Sequence, residues 1–271
     1  MLTRIMSGIS LVLIFVPSLY LGGWLLYALC MFISLVGMFE LLRVNKLEKT
    51  LLGIVCYIAA VLYYLSILFD NSQYSIFILV LTFISLMSVY VFAFPKYKAE
   101  DIMWAFFGIM YVVVMISYIY ETRMFSDGIY IVWLIFVSSW GNDTFAYFTG
   151  VMLGKHKMAP ELSPKKSIEG AIGGIIGATV LGLLYGYIVS PRMSEVFLHP
   201  VITFGIASFI GAIISIVGDL AASAIKRNHN VKDYGNIIPG HGGILDRFDS
   251  VIFTAPVVYW AVLLLNNFYM I

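Results

Sequence analysis

Residues 218–249 read GDLAASAIKRNHNVKDYGNIIPGHGGILDRFD, the most polar stretch of a very apolar chain. Asp219, Asp233, Asp246 and Asp249 occur there with Lys226, Arg227, Lys232 and Arg247, two histidines and the pair Gly242 and Gly243. Carboxylates are ligands for hard divalent cations, and ammonium or guanidinium groups neutralise phosphates. The mixture points to metal and phosphate chemistry. Hydrophobic segments border the stretch on both sides, so that chemistry belongs at a membrane edge.

If the helix preceding the stretch continues through Arg227, then Ser215, Asp219, Ser223 and Lys226 share one face. An aspartate near membrane depth is costly to bury and marks a functional site, unless Asp219 merely forms a structural pair with Lys226. Turn pairs follow at Tyr234-Gly235 and Pro239-Gly240. His241, Gly242 and Gly243 then offer backbone N–H groups to an anion. Asp246 and Asp249, three residues apart, open the last span, where the helix dipole also favours carboxylates. Three aspartates at the ends of two adjacent spans suit one or two hard cations. An all-oxygen set favours Mg²⁺ over zinc.

A second constellation lies upstream. SSWGNDTFAYFTG puts Asn142 and Asp143 near the end of an earlier span, with Tyr147 one turn on from Asp143. In the following SPKKSIEG, Ser163 reads as a helix N-cap and Pro164 as the first helical residue. Lys165 and Lys166 then fall in the first turn, where positive charge opposes the dipole unless an anion binds there. Lipid headgroups at the interface would satisfy the same lysines. GVMLGKH is not a P-loop: its glycine spacing is one residue short, and His156 replaces the hydroxyl residue.

The elements that position these residues are set by composition. Of 271 residues 61% are hydrophobic and 11% charged, against about 25% charged in soluble domains. The fold class is therefore an all-α polytopic integral membrane protein. Segments of about 20 apolar residues give nine spans, near 5–21, 23–42, 50–69, 74–94, 102–121, 128–149, 168–190, 198–222 and 250–270. Residues 1–21 carry no small-residue cleavage site and read as a span, not a cleavable signal peptide.

With the N-terminus in the cytoplasm, only Arg123 and Arg192 of the 16 basic residues fall outside. That asymmetry implies a cytoplasmic N-terminus and an outer C-terminus. It also makes the two long connections, 150–167 and 223–249, cytoplasmic. Residues 1–127 form a scaffold of apolar helices, with possible dimer contacts, and 128–271 carry the polar chemistry. Gly170, Gly174, Ala178, Gly182 and Gly186 make a small-residue packing ribbon. Cys30 and Cys56 lie in apolar runs and read as core residues rather than a disulfide.

Ser223-Ala-Ile-Lys-Arg, Lys232-Asp233, Gly235, Pro239, His241-Gly-Gly and Asp246-Arg-Phe-Asp249 together resemble the signature of phosphatidate cytidylyltransferases. SPKKSIEG and NDTFAYFTG also resemble that family. The resemblance implies CTP plus phosphatidic acid giving CDP-diacylglycerol and pyrophosphate, with Mg²⁺ required, in a homodimeric enzyme among membrane lipids. The inner (plasma) membrane is the expected location, and no nucleic acid is expected as a partner.

On this reading Asp219 and Asp246 coordinate the cation, with Asp249 as a third ligand or a partner of the ligands. A second cation between the same carboxylates is compatible with this reading. Lys226, Arg227, Lys232 and Arg247 neutralise the triphosphate. Ser223, Asp233, His241, Gly242 and Gly243 contribute to substrate binding, and Asn142, Asp143, Lys165 and Lys166 complete the pocket. Two alternatives share these residues. A CTP-dependent lipid-alcohol kinase would need an aspartate as base and would release CDP. A transporter would gather its polar groups at the bilayer midplane, whereas here they crowd one face.

Overall fold

A computed structural model of the protein describes residues 2–69, 72–194, 199–238, 240 and 242–269, apart from the side chains of 2–11, 72 and 267–269. Helix dominates, as the apolar segments require: a chain in hydrocarbon must satisfy its backbone internally. Helices α1 (Leu2–Leu21), α2 (Gly23–Val44), α3 (Leu51–Leu68) and α4 (Ser72–Phe92) come first. Helix α5 (Ala99–Gly108) continues through a π-helical segment, Ile109–Val114, into α6 (Met115–Arg123). Two short helices follow, α7 (Gly128–Ile131) and α8 (Trp133–Phe136). A second π segment, Val137–Gly141, then leads into α9 (Asn142–Leu153). Strands β1 (Lys157–Ala159) and β2 (Ser163–Ser167) form an antiparallel hairpin, and α10 (Ile168–Val189), α11 (Pro200–Asn228) and α12 (Leu245–Tyr269) complete the chain.

Seven helices among the described residues are long and apolar enough to cross a membrane. The difference from the nine expected spans lies in two places. Of α1, only Val12–Leu21 counts among the described apolar residues, and the segment expected over 128–149 is broken into α7, α8, the π segment and α9.

The chain forms two compact units. The first comprises Met1–Ser117 and His229–Arg247; the second comprises Tyr118–Asn228 and Phe248–Ile271. The polar connector 229–247 thus groups with the N-terminal helices. In the first unit Leu26, Cys30, Leu41, Cys56, Tyr64 and Val112 are buried in the core, and both cysteines are free thiols, as expected. Helix α3 is capped by Thr50, whose hydroxyl accepts from the Gly53 N–H.

In the second unit the small-residue ribbon of α10 does what its spacing predicts. Any Cβ added at Gly170 would meet the Ala146 carbonyl, and one at Gly174 would meet Asn142, both on α9. Gly182 and Gly186 lie just as closely against Ser208 and Val201 of α11.

One expected helix start is corrected. Ser163, Pro164, Lys165 and Lys166 lie in strand β2, and α10 begins at Ile168. A residue before proline is driven away from helical backbone, which keeps Ser163 extended. Ser167 is the cap instead: its backbone is extended, and its hydroxyl accepts from the Gly170 N–H at 3.1 Å. The two lysines are therefore not at a helix N-terminus.

Candidate active site

In the second unit, the π segment Val137–Gly141 immediately precedes Asn142 and Asp143. A π turn carries an extra residue, rotates everything after it and often marks a functional site. Asn142 is buried, and its Nδ2 donates to the Ser215 hydroxyl at 2.9 Å. Its Oδ1 is buried without a partner among protein atoms. Asn142, Asp143, Lys165, Lys166 and Asp219 line one cavity of about 510 Å³, whose wall also includes Tyr147, Val151 and Met158. The structure thus gathers five sequence-predicted residues from α9, the hairpin and α11.

Asp219 is ion-paired with Lys166 of the hairpin. Helix α11 does continue through Arg227, so Ser215, Asp219, Ser223 and Lys226 keep their common face. Lys226 acts electrostatically on Asp249, which also feels Asp219 and Asp143. The Ser250 hydroxyl hydrogen-bonds Asp143, and the Ser250 N–H donates to Asp249 Oδ1 at 2.8 Å. Three carboxylates, Asp143, Asp219 and Asp249, therefore repel one another, and Lys166 and Lys226 partly compensate. Arg227 is exposed and Ser223 half-buried.

The hairpin is tied down near its base. Glu169 of α10 accepts from the Lys155 and His156 N–H groups at 3.1 and 3.2 Å, and lies 2.6 Å from His156 Nδ1. Those amides serve the hairpin and do not cradle a phosphate, which agrees with the rejection of a P-loop.

In the first unit, Lys232, Asp233, Gly242 and Arg247 line a separate cavity of about 610 Å³. Gly240 and Gly242 have φ of 79° and 85°, backbone that side chains other than glycine's rarely adopt. The Ile238 N–H donates to the Gly242 carbonyl at 2.9 Å. His241 lies outside the described residues. Asp246 is buried, and its Oδ2 accepts from the N–H groups of Tyr234 and Gly243 at 2.9 and 3.0 Å. Gly243 therefore donates to a carboxylate of the protein.

Sequence reading missed Glu40. This carboxylate sits fully buried in α2, and it accepts from the N–H groups of Ile244 and Leu245 at 3.1 and 2.8 Å. The available signal was a lone acid within the apolar run GMFELL, which should be costly without partners.

Fold and cavities define a class: a multi-pass helical membrane protein whose cavities are lined by lysines and carboxylates. The chain belongs to the cytidylyltransferase family, whose model matches residues 2–265. It is 34% identical over 261 residues to a phosphatidate cytidylyltransferase of Staphylococcus haemolyticus, covering 95% of this chain and 97% of that one. A Staphylococcus epidermidis relative of the same name is 33% identical and one from Staphylococcus aureus 32% identical, with the same coverage.

Proposed function

We propose that this protein transfers the cytidylyl group of CTP to phosphatidic acid, giving CDP-diacylglycerol and pyrophosphate for phospholipid biosynthesis. The observation that carries the reading is the match of nearly the whole chain to the cytidylyltransferase family, with relatives named for this activity. A lipid phosphate oxygen attacks the α-phosphorus of CTP. The bond from that phosphorus to the bridging oxygen breaks, and pyrophosphate leaves with the electron pair. A phosphate monoester has a second pKa of about 6, so the nucleophile is already ionised near neutrality and needs no strong base. What remains is to hold two anions together and to stabilise the charge that develops.

The residues fit that demand. Lys165 and Lys166 share a cavity with apolar Val151 and Met158, a combination suited to a lipid phosphate and the start of its glycerol ester. Lys226, Arg227, Lys232 and Arg247 neutralise the triphosphate, with Ser223, Asp233, His241 and Gly242 helping to bind substrate, while the Gly243 N–H is held by Asp246.

Among the described residues no three acids, histidines or cysteines are gathered tightly enough to cage a metal unaided. Mg²⁺ takes one or two carboxylates and completes its shell with water and substrate phosphates. The hard oxygen set of Asp219, Asp246 and Asp249 is in keeping with it. The orphaned Oδ1 of Asn142 adds an acceptor in the Asp219 cavity. Bound there, Mg²⁺ would neutralise phosphate charge, and a second cation could share the carboxylates.

The same reading includes nine spans in the inner membrane, a cytoplasmic N-terminus, an outer C-terminus, an active site facing the cytoplasm and a homodimer. The asymmetric distribution of basic residues supports the orientation.

The test uses purified protein in detergent with phosphatidic acid and CTP labelled in the cytosine or the γ-phosphate. Labelled CDP-diacylglycerol and labelled pyrophosphate are expected. Release of CDP with γ-label on a lipid would establish a kinase instead.

A further inference from the structure

An acid in the middle of an apolar helix is expensive unless its oxygens find hydrogen-bond donors. Glu40 meets that condition in an unusual way: both of its oxygens are committed to backbone N–H groups 204 and 205 residues away. Those donors, on Ile244 and Leu245, are among the unpaired amides at the start of α12. The adjacent amide, on Gly243, is taken by Asp246, which also holds the Tyr234 N–H. Two carboxylates thus consume four amides and draw both ends of the loop 234–245 together.

The rest of the surroundings is built to the same plan. Gly235 and Gly243 both face Glu40 so closely that a Cβ at either would collide with its carboxylate. Arg43, three residues on from Glu40 and so on the same face of α2, donates from Nη2 to the Tyr234 carbonyl at 2.9 Å. Helix α2 therefore holds the connector at 234 through Arg43 and at 244–245 through Glu40. Lys232, Asp233, Asp246 and Arg247 all lie at or between those two anchor points or within two residues of them.

We infer that Glu40 is a positioning residue for the reaction: it sets the start of α12 and the shape of the connector, and acts on substrate only through the residues they carry. The inference rests on the proposed cytidylyl transfer. Its structural half, the clamp on the connector, is independent of which reaction is catalysed.

The experiment uses the full-length protein in detergent and compares wild type with Glu40→Gln. Turnover, KM for both substrates and hydrogen exchange along the chain are measured. The amide keeps one acceptor but turns an N–H towards a backbone donor, so one end of the clamp opens. A lost supporting contact of this kind typically costs about 10–100-fold in activity, and a kcat lowered by that factor is expected. KM for phosphatidic acid should stay within about twofold, because no group that touches the lipid is altered. Exchange should accelerate over 232–247 and nowhere else. A kcat near wild type, or faster exchange throughout the chain, would overturn the inference. If Glu40→Gln does not accumulate as folded protein, Arg43→Ala opens the other anchor from the exposed side and should give the same pattern at smaller amplitude; wild-type exchange and kcat there would equally overturn it. Should wild type make no CDP-diacylglycerol, the proposed reaction fails, and exchange over 232–247 alone decides the role of Glu40.

Discussion

Lys166 of strand β2 and Asp219 of helix α11 form an ion pair in the cavity of the second unit, each with about one-quarter of its side chain exposed (26% and 24%). The pair closes the gap between the hairpin and the helix. In the proposed reaction the ammonium would serve phosphate and the carboxylate a cation.

Lys166→Ala separates these two roles. A partly exposed pair contributes at most about 1 kcal/mol, so thermal unfolding in detergent should move little. Turnover should fall by about tenfold or more, because charge stabilisation at the reacting phosphate is lost. A large drop in the unfolding midpoint with activity intact in the surviving protein would assign the lysine to the fold alone.

Asp219→Asn and Asp246→Asn should both abolish turnover, but for distinguishable reasons. Asp219 is ion-paired with Lys166 at a partly exposed position, so its replacement should leave the protein as stable as wild type within about 1 kcal/mol. Asp246 accepts two buried backbone N–H groups, and disturbing them costs about 1–3 kcal/mol. Calorimetry or light-scattering melts read that contrast beside the activity assay. Near-normal turnover in either variant would remove its proposed ligand role.

Gly174→Ala tests the packing that carries Asn142. The new methyl would run into the Asn142 side chain and backbone, and overpacking of this kind costs about 1–3 kcal/mol. A lower melting point is expected together with weaker activity, since Asn142 lines the cavity. Gly182→Ala, which meets Ser208 instead, should lower the melting point with a smaller effect on turnover per unit of stability lost.

Removal of divalent cations is the fourth test. A chelator should stop the reaction, and Mg²⁺ in excess should restore it, since the proposed ligands are hard oxygens. Undiminished turnover in the chelator would dispose of the metal and leave the cations to stabilise the leaving group.

Much of this protein is legible along the chain. The apolar runs of α2, α3, α10, α11 and the greater part of α12 announce themselves, because about 20 consecutive apolar residues have few other destinations. The glycine ribbon of α10 declares a packing face through spacing alone. The hairpin 157–167 was less legible: Ser163-Pro164 imitates a helix start, and the pairing of β2 with β1 competes successfully for the same residues. Glu40 was overlooked because a single acid in an apolar segment names no partner, and its partners lie more than 200 residues away.

The sequence by itself determined the class of protein, the family and the residue types available for chemistry, since hydropathy, turn formation and motif spacing are local properties. Tertiary structure decided which of those residues meet. It paired Asp219 with Lys166, 53 positions earlier and on a strand. It turned Asp246 towards the amides of Tyr234 and Gly243, and it joined the connector to α2 through Glu40 and Arg43. The physical reason is the same in each case. A buried carboxylate must find donors wherever packing brings them, and packing depends on the whole chain.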